Sequence, residues 1–156
     1  MKSVLMVCTG NICRSPMAAA ILQERLEQDP EHAGWTVSSA GLWTSDGHLA
    51  SEHAVQVMKD RGLDIRRHRA RKVLPAIIDQ SDLVLGMTPQ HVEALRLAFP
   101  KAAAKIHLLA EMAGEQHGIE DPYGHPIDHY QRAADEIAAM IERGYCEIIS
   151  RAREVR

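Results

Sequence analysis

The feature that most constrains this chain is a short apolar run that leads directly into a loop containing cysteine. Val4-Leu5-Met6-Val7 is followed by Cys8-Thr9-Gly10-Asn11-Ile12-Cys13-Arg14-Ser15-Pro16. An apolar run of this length is typical of a buried parallel strand. Proline is favoured in the first turn of a helix, and the residues after Pro16 are good helix formers. The sequence therefore predicts a strand, a tight loop and a helix in direct succession.

The predicted loop is suited to hold an oxyanion. Its backbone N–H groups must curl around the positive end of the helix dipole, and this arrangement binds phosphate. Gly10 and Asn11 are residue types that tolerate the left-handed backbone of such a loop. The loop lacks the Gly-Lys-Ser/Thr ending of a nucleotide-binding loop. The predicted phosphate-binding residues are Thr9, Gly10, Asn11, Ile12, Cys13, Arg14 and Ser15.

Two side chains of this segment predict reaction with a phosphoryl group. The positive end of the helix favours the thiolate form of Cys8, which is the nucleophilic form of cysteine. Arg14 can bind two oxygen atoms through parallel N–H groups, which the point charge of a lysine cannot do. We therefore predict that Cys8 is a nucleophile and that Arg14 binds the phosphoryl group.

The segment resembles the signature loop of the low-molecular-weight protein tyrosine phosphatases. Four further segments resemble that family, in the family's order: Ser38-Ser39-Ala40-Gly41, His68-Arg69-Ala70-Arg71, Ser81-Asp82-Leu83-Val84-Leu85-Gly86-Met87 and Asp121-Pro122-Tyr123-Gly124. The resemblance spans residues 2 to about 150. It implies a single α/β domain over residues 1–156, with a four-stranded parallel sheet of order 2-1-3-4 and the phosphate-binding loop after the first strand.

Hydrophobic periodicity is consistent with that fold. It predicts strands at 2–7, 35–39, 82–86 and 106–109, and helices at 16–28, 49–61, 74–79, 89–98 and 128–149. Alternating strands and helices favour parallel pairing with right-handed crossovers and helices on both faces of the sheet. Ligands of such sheets bind beyond the carboxyl ends of the strands, which is where Cys8 falls. A length of 156 residues suits one domain.

Asp121 is the predicted proton donor. Pro122 disfavours helix at Asp121 and leaves the carboxylate free to project, although an ordinary Asp-Pro turn has the same sequence. The resemblance implies that Asp121 is the general acid that protonates the leaving group. It then acts as the general base when water attacks the cysteinyl phosphate. The nearby Asp128 is expected to cap the last helix.

The resemblance also implies supporting roles for several side chains. A hydrogen-bond network beneath the loop would be formed by Asn11, Ser15, Ser39 and His68. For His68, the alternative is an ordinary surface histidine in an arginine-rich turn. Cys13 would form a protective disulfide with oxidised Cys8, whereas the alternative is a small buried side chain. Cys146, late in the last helix, is expected in the core.

Three side chains are predicted to wall the substrate pocket: Ile12, Trp43 and Tyr123. Trp43 lies at the start of a loop that contains Gly and Ser, where an aromatic ring could stack on a flat substrate group. The alternative is that Trp43 folds back over the edge of the sheet. Tyrosine phosphatases that resemble this chain carry Ile at position 12, whereas the arginine phosphatases carry Thr.

The leading functional prediction is a phosphatase for phosphotyrosine in proteins, and a protein-arginine phosphatase is the alternative. Residues 81–88 and 121–130 look closer to the arginine branch, but Ile12 favours phosphotyrosine, and substrate choice is decided at the contact. Arsenate reductases of this type use two further downstream cysteines, and only Cys146 follows Cys13. A non-catalytic phosphate-binding module would need neither Cys8 nor Asp121.

Composition limits the partners. A net charge of −3 and a pI near 6.3 give no electrostatic footprint for nucleic acid. No apolar run approaches the ~20 residues of a membrane span, and no signal peptide is evident. Three cysteines, one of them the predicted thiolate nucleophile, suit a reducing compartment. We therefore expect a cytoplasmic monomer that uses no metal or other cofactor, whose partners are a phosphorylated protein and phosphate or another oxyanion.

Overall fold

Four parallel strands form one sheet in the order β2-β1-β3-β4. The computed structural model describes residues 1–154. The strands are β1 (Ser3–Cys8), β2 (Thr36–Gly41), β3 (Leu83–Gly86) and β4 (Ile106–Leu108). The strand order that the family resemblance implies and the α/β class are both confirmed.

The central position of β1 places its carboxyl end between two neighbouring strands. Cys8 is paired with Gly41 of β2, and Val7 is paired with Gly86 of β3. All four residues of the run 4–7 are at most 1% exposed. Because successive side chains of a strand point to opposite faces, both faces of the sheet are covered. The apolar run therefore has the burial that the sequence predicts.

The helices agree with the predicted order, with some differences at their ends. They are α1 (Arg14–Glu27), α2 (Glu52–Asp60), α3 (Pro75–Asp79), α4 (Pro89–Ala98), α5 (Leu109–Met112) and α6 (Ile127–Arg153). Helix α1 begins two residues before Pro16, which lies in its first turn as predicted. The short helix α5 and a 3-10 helix at Pro100–Lys105 have no counterpart in the sequence prediction.

The long helix α6 corrects two predictions. Asp128 is not the N-cap, because the helix begins at Ile127 after an extended Pro126. Asp128 instead lies in the first turn, where its negative charge is favourable, and it pairs with Arg132 at 3.3 Å. Cys146 is exposed rather than in the core. The buried stripe of α6 passes through Tyr145, 148 and 149, and position 146 lies outside it.

Across residues 1–154, none of the helices has both the length and the apolar character that a membrane span requires.

Candidate active site

The loop between β1 and α1 lies at the carboxyl edge of the sheet, where the sequence predicts the site. Cys8 ends β1, and Arg14 is the first residue of α1. A cavity of about 210 Å³ opens above the loop. Its lining residues are Cys8, Thr9, Gly10, Ile12, Cys13, Arg14, Asp121 and Tyr123. The fold therefore brings the three predicted catalytic side chains to one cavity.

Asn11 holds the loop in its curled shape. Its φ of 57° makes it the one residue other than glycine within residues 1–154 with a positive φ. Gly10, by contrast, does not adopt the left-handed backbone predicted for it. The Asn11 side chain is fully buried and donates from Nδ2 to Ser15 Oγ at 2.9 Å and to Ser39 Oγ at 2.8 Å. These bonds offset the strain of the left-handed conformation.

Ser15 contacts the thiol of Cys8, with Oγ lying 2.9 Å from Sγ. Ser15 Oγ already accepts a hydrogen bond from Asn11 Nδ2. Its own hydroxyl proton is therefore free to be donated to the sulfur, and such a bond stabilises a thiolate more than a thiol. Cys8 is only 2% exposed. Asn11, Ser15 and Ser39 thus form the network that the resemblance implies.

A second segment, residues 68–71, supports the loop from the side. His68 Nε2 donates to the carbonyl oxygen of Asn11 at 2.6 Å, and burial lowers the pKa of His68. The backbone N–H of Arg71 donates to Asn11 Oδ1 at 3.0 Å, and Arg71 Nε donates to the carbonyl of Ser39. His68 is therefore part of the support and not an ordinary surface histidine. The contribution of Arg71 is not foreseen from the sequence.

Arg14 is almost fully buried beside the cavity, at 4% exposure. Its Nη1 donates to the carbonyl of Ile119 at 2.9 Å, and its Nη2 donates to Thr9 Oγ1 at 3.3 Å. Its Nε is buried and has no hydrogen-bond partner among residues 1–154. A buried N–H group without a partner is costly, so this geometry fits an anion bound against the guanidinium.

Asp121 lies at the mouth of the cavity. Its Oδ2 is 3.6 Å from Arg14 Nη2, and its side chain is 52% exposed. Its Oδ1 accepts a hydrogen bond from the backbone N–H of Tyr123 at 3.1 Å, which orients the carboxylate. The adjacent Ile119 anchors this segment, because its N–H donates to the carbonyl of Met87 just beyond β3. A carboxylate in this position can reach a leaving group in the cavity.

The three predicted pocket residues differ in position. Ile12 and Tyr123 line the cavity, and Trp43 is not among its lining residues. Trp43 is 65% exposed, so it does not fold back over the edge of the sheet. Its backbone N–H donates to the carbonyl of Thr9 at 3.0 Å, which keeps the ring near the loop. Trp43 as part of the pocket wall stays a prediction.

Cys13 is buried and has two hydroxyl neighbours that sequence reasoning missed. Its Sγ lies 3.5 Å from Ser51 Oγ and 3.6 Å from the hydroxyl of Tyr130. Burial raises the pKa of the Cys13 thiol, in spite of these hydrogen bonds. Tyr130 lies on α6 and is buried. The sequence carries no local signal for its contact, because Tyr130 is 117 residues from Cys13.

His91 is a further residue that the sequence analysis missed. Its Nδ1 accepts a hydrogen bond from the backbone N–H of Thr88 at 3.1 Å. The proton of the neutral ring therefore lies on Nε2, which donates to Thr9 Oγ1 at 2.9 Å. Thr9 Oγ1 also accepts from Arg14. His91 thus positions Thr9, and through it Arg14, from the start of α4.

The pKa of His91 predicts a pH-dependent stability. Burial, and next the positive charge of Arg14, lower this pKa from 6.5 to about 4. Between these two pH values the unfolded chain binds more protons at this histidine than the folded chain does. The free energy of unfolding is therefore highest above pH 6.5 and falls as the pH decreases towards 4. The contribution lost between pH 7 and pH 5 is about 2 kcal/mol. His91→Gln, which cannot titrate, should show a smaller decrease in urea unfolding free energy between these two pH values. Equal decreases in both proteins would contradict this assignment.

Comparisons with known proteins identify the family. The model of a family described as low molecular weight phosphotyrosine protein phosphatase matches residues 3–153. The chain therefore belongs to this family, and it is an enzyme of the protein phosphatase class.

Individual relatives carry two kinds of name. A protein-arginine-phosphatase of Geobacillus stearothermophilus is 39% identical over 141 residues, which cover 90% of this chain and 91% of that protein. A probable low molecular weight protein-tyrosine-phosphatase, EpsP, of Ralstonia solanacearum is 36% identical over 152 residues, which cover 97% of each chain. The crystal structure of a low molecular weight protein tyrosine phosphatase from T. tengcongensis has a TM-score of 0.89 and 36% identity, covering 94% of this chain and 99% of that chain. Overall sequence similarity therefore does not decide between phosphotyrosine and phosphoarginine as the substrate.

Proposed function

We propose that this enzyme hydrolyses phosphotyrosine in proteins through a cysteinyl-phosphate intermediate. The observation that carries the proposal is the cavity in which Cys8, Arg14 and Asp121 meet, beside a buried Arg14 Nε that has no hydrogen-bond partner among residues 1–154. Nε and Nη2 would bind two phosphoryl oxygens, while Nη1 stays fixed on Ile119. The backbone N–H groups of the loop would bind the phosphoryl oxygens as well.

The reaction takes two steps in this arrangement. The Cys8 thiolate attacks phosphorus and the P–O bond to tyrosine breaks, while Asp121 transfers its proton to the departing phenolate oxygen. Water then attacks the phosphorus of phosphocysteine and the S–P bond breaks, while Asp121 takes a proton from the water. Inorganic phosphate leaves, and the hydrogen bond from Ser15 stabilises the released thiolate.

The role of Asp121 predicts a dependence on the leaving group. Asp121→Asn should lower kcat by about 10²–10⁴-fold for a substrate with a poor leaving group, such as phenyl phosphate. The loss should be much smaller for p-nitrophenyl phosphate, because its phenolate departs without protonation. Asp128→Asn, which removes an exposed carboxylate outside the cavity, should leave both rates unchanged. Equal losses on both substrates would show that Asp121 has a structural role and that another group is the acid.

The choice of phosphotyrosine over phosphoarginine is supported by Ile12. Ile12 lines the same cavity as Cys8. An apolar wall suits a phenyl ring, whereas the N–H groups of phosphoarginine need acceptors there. Leaving one such N–H unpaired costs roughly 1–3 kcal/mol, which is about 5- to 150-fold in discrimination. We give this local contact more weight than overall similarity.

A comparison of kcat/KM on phosphotyrosine, phosphoserine and phosphoarginine peptides tests the substrate. The protein should prefer phosphotyrosine, and Ile12→Thr should narrow or reverse its preference over phosphoarginine. Ile12→Val is the matched control, because it keeps the apolar wall and should keep the preference. A higher kcat/KM for phosphoarginine in the unchanged protein would overturn the tyrosine assignment in favour of a protein-arginine phosphatase.

We also propose that the enzyme acts as a cytoplasmic monomer and that Cys13 protects Cys8 by forming a disulfide when Cys8 is oxidised. Support comes from the position of Cys13, which lines the same cavity as Cys8. A reducing compartment preserves the thiolate that the mechanism requires.

A further inference from the structure

A cluster of two histidines and one glutamate lies beside the loop that carries Asp121. Glu120, His125 and His129 each direct one potential ligand atom into a common space, and these atoms all lie within 4.8 Å of one another. The rings of His125 and His129 are stacked, with centroids 4.4 Å apart. None of these residues lines the cavity above Cys8. These three residues have no role in the proposed catalytic mechanism.

The donor set has the chemistry of a zinc site. Two imidazoles and one carboxylate are a known ligand set for Zn²⁺, with a water molecule in the fourth position. In a tetrahedral site with Zn–N and Zn–O distances of about 2.0–2.2 Å, the donor atoms are about 3.4 Å apart. Glu120 and His125 are exposed and His129 is half-buried. Because the lone pair of an imidazole nitrogen lies in the ring plane, one of the two stacked rings must turn before both can bind one ion, and the exposed position of His125 leaves room for that rotation.

The surroundings add room and negative charge. A small cavity of about 120 Å³ adjoins the cluster and is lined by Glu120, Pro122, His129, Arg132, Ala133 and Glu136. Glu136 adds a second carboxylate to this cavity. Arg132 is the one cation of the lining, and it pairs with Asp128 at 3.3 Å. The cavity can therefore hold the water molecules that complete the coordination of an ion.

The backbone connects the cluster to the acid loop. Ile119 is fixed by hydrogen bonds to Met87 and Arg14, and α6 begins at Ile127. Between these anchors, Glu120 precedes Asp121 directly, and His125 follows Asp121 after a turn closed by a hydrogen bond from the His125 N–H to the carbonyl of Pro122. His129 lies beyond the second anchor, in the first turn of α6. An ion bound to all three side chains would join both ends of the Asp121 loop to the helix.

We propose that Glu120, His125 and His129 form a binding site for a divalent transition-metal ion of the Zn²⁺ type, which fixes the Asp121 loop against the first turn of α6. Imidazole ligands favour Zn²⁺ and its neighbours over Mg²⁺ or Ca²⁺. The site is separate from the catalytic cavity, and its binding is measured without substrate. Its failure would therefore leave the proposed phosphatase mechanism untouched.

Calorimetric titration with Zn²⁺ in phosphate-free buffer tests the site. The Cys8→Ser protein, in which the active-site thiolate cannot bind the metal, should retain binding of one ion. In that background, His125→Asn and His129→Gln should each weaken the affinity at least about tenfold, since even indirect partners of metal ligands contribute 10–100-fold. His48→Asn, which removes an exposed histidine elsewhere, is the matched control and should bind as before. Unchanged affinity in the two histidine variants would overturn the proposal, and so would loss of all binding on Cys8→Ser alone.

Amide hydrogen exchange tests the effect on the loop. Saturating Zn²⁺ should slow exchange within residues 121–125 of the Cys8→Ser protein and leave it unchanged in the same protein carrying His129→Gln. Thermal unfolding of the metal-free proteins checks that the substitutions, which lie on exposed or half-exposed side chains, preserve the fold. Equal exchange rates with and without bound Zn²⁺ would refute the fixing of the loop.

Discussion

Cys8→Ser should abolish turnover while phosphate or vanadate still binds. A serine hydroxyl at this position is not ionised, so it cannot attack phosphorus at a useful rate. The loop that binds the oxyanion remains, because its shape depends on Asn11, His68 and Arg71. Steady-state kinetics would measure the loss of kcat, and isothermal titration would measure the retained affinity for phosphate.

Cys146→Ser is the matched control for the nucleophile. Cys146 is an exposed thiol on α6 and should be replaceable without loss of activity. Unfolding temperatures of both variants close to that of the parent would exclude misfolding as the cause of inactivity. Substantial turnover in the Cys8→Ser protein would refute a mechanism through cysteinyl phosphate.

Arg14→Lys should reduce kcat by about 10²–10³-fold, as expected for loss of one preorganised donor worth a few kcal/mol. The guanidinium bonds to Ile119 and Thr9 and still has Nε for the oxyanion. A lysine ammonium carries the same charge, but its single nitrogen cannot serve these three groups together. Positive charge alone therefore should not restore the rate.

Arg25→Lys provides the comparison for this substitution. Arg25 forms a partly exposed ion pair with Glu142 on the far part of α1, and its replacement should leave kcat unchanged. The affinity for vanadate should fall in the Arg14→Lys protein, because the two-oxygen contact is lost. A kcat within a factor of two of the parent would show that the two-oxygen contact is dispensable.

The prediction of the fold succeeded where the pattern was strong. The run 4–7 is buried on both faces of the sheet, and its burial identifies β1 as central. Errors occurred where local preference is weak. Asp128 is a good capping residue type, yet α6 begins at Ile127 after an extended Pro126, two residues earlier than a cap at Asp128 would allow. The four-residue helix α5 is too short to show the helical repeat of apolar residues on which a prediction depends.

By itself, the sequence determined which groups we assign to the reaction, because the proposed nucleophile, the loop and the arginine are contiguous in residues 8–16 and their chemistry is local. Only the tertiary structure decided which distant groups complete the site. Asn11 reaches Ser39, Arg14 reaches Ile119 and Thr9 reaches His91, across separations of 28, 105 and 82 residues. These contacts arise because β2 and β3 flank β1, so that the segments following their carboxyl ends meet at one edge. The spacing of apolar residues predicts a strand. It does not predict which side chain in the loop after that strand contacts the neighbouring loop, because that contact depends on tertiary packing.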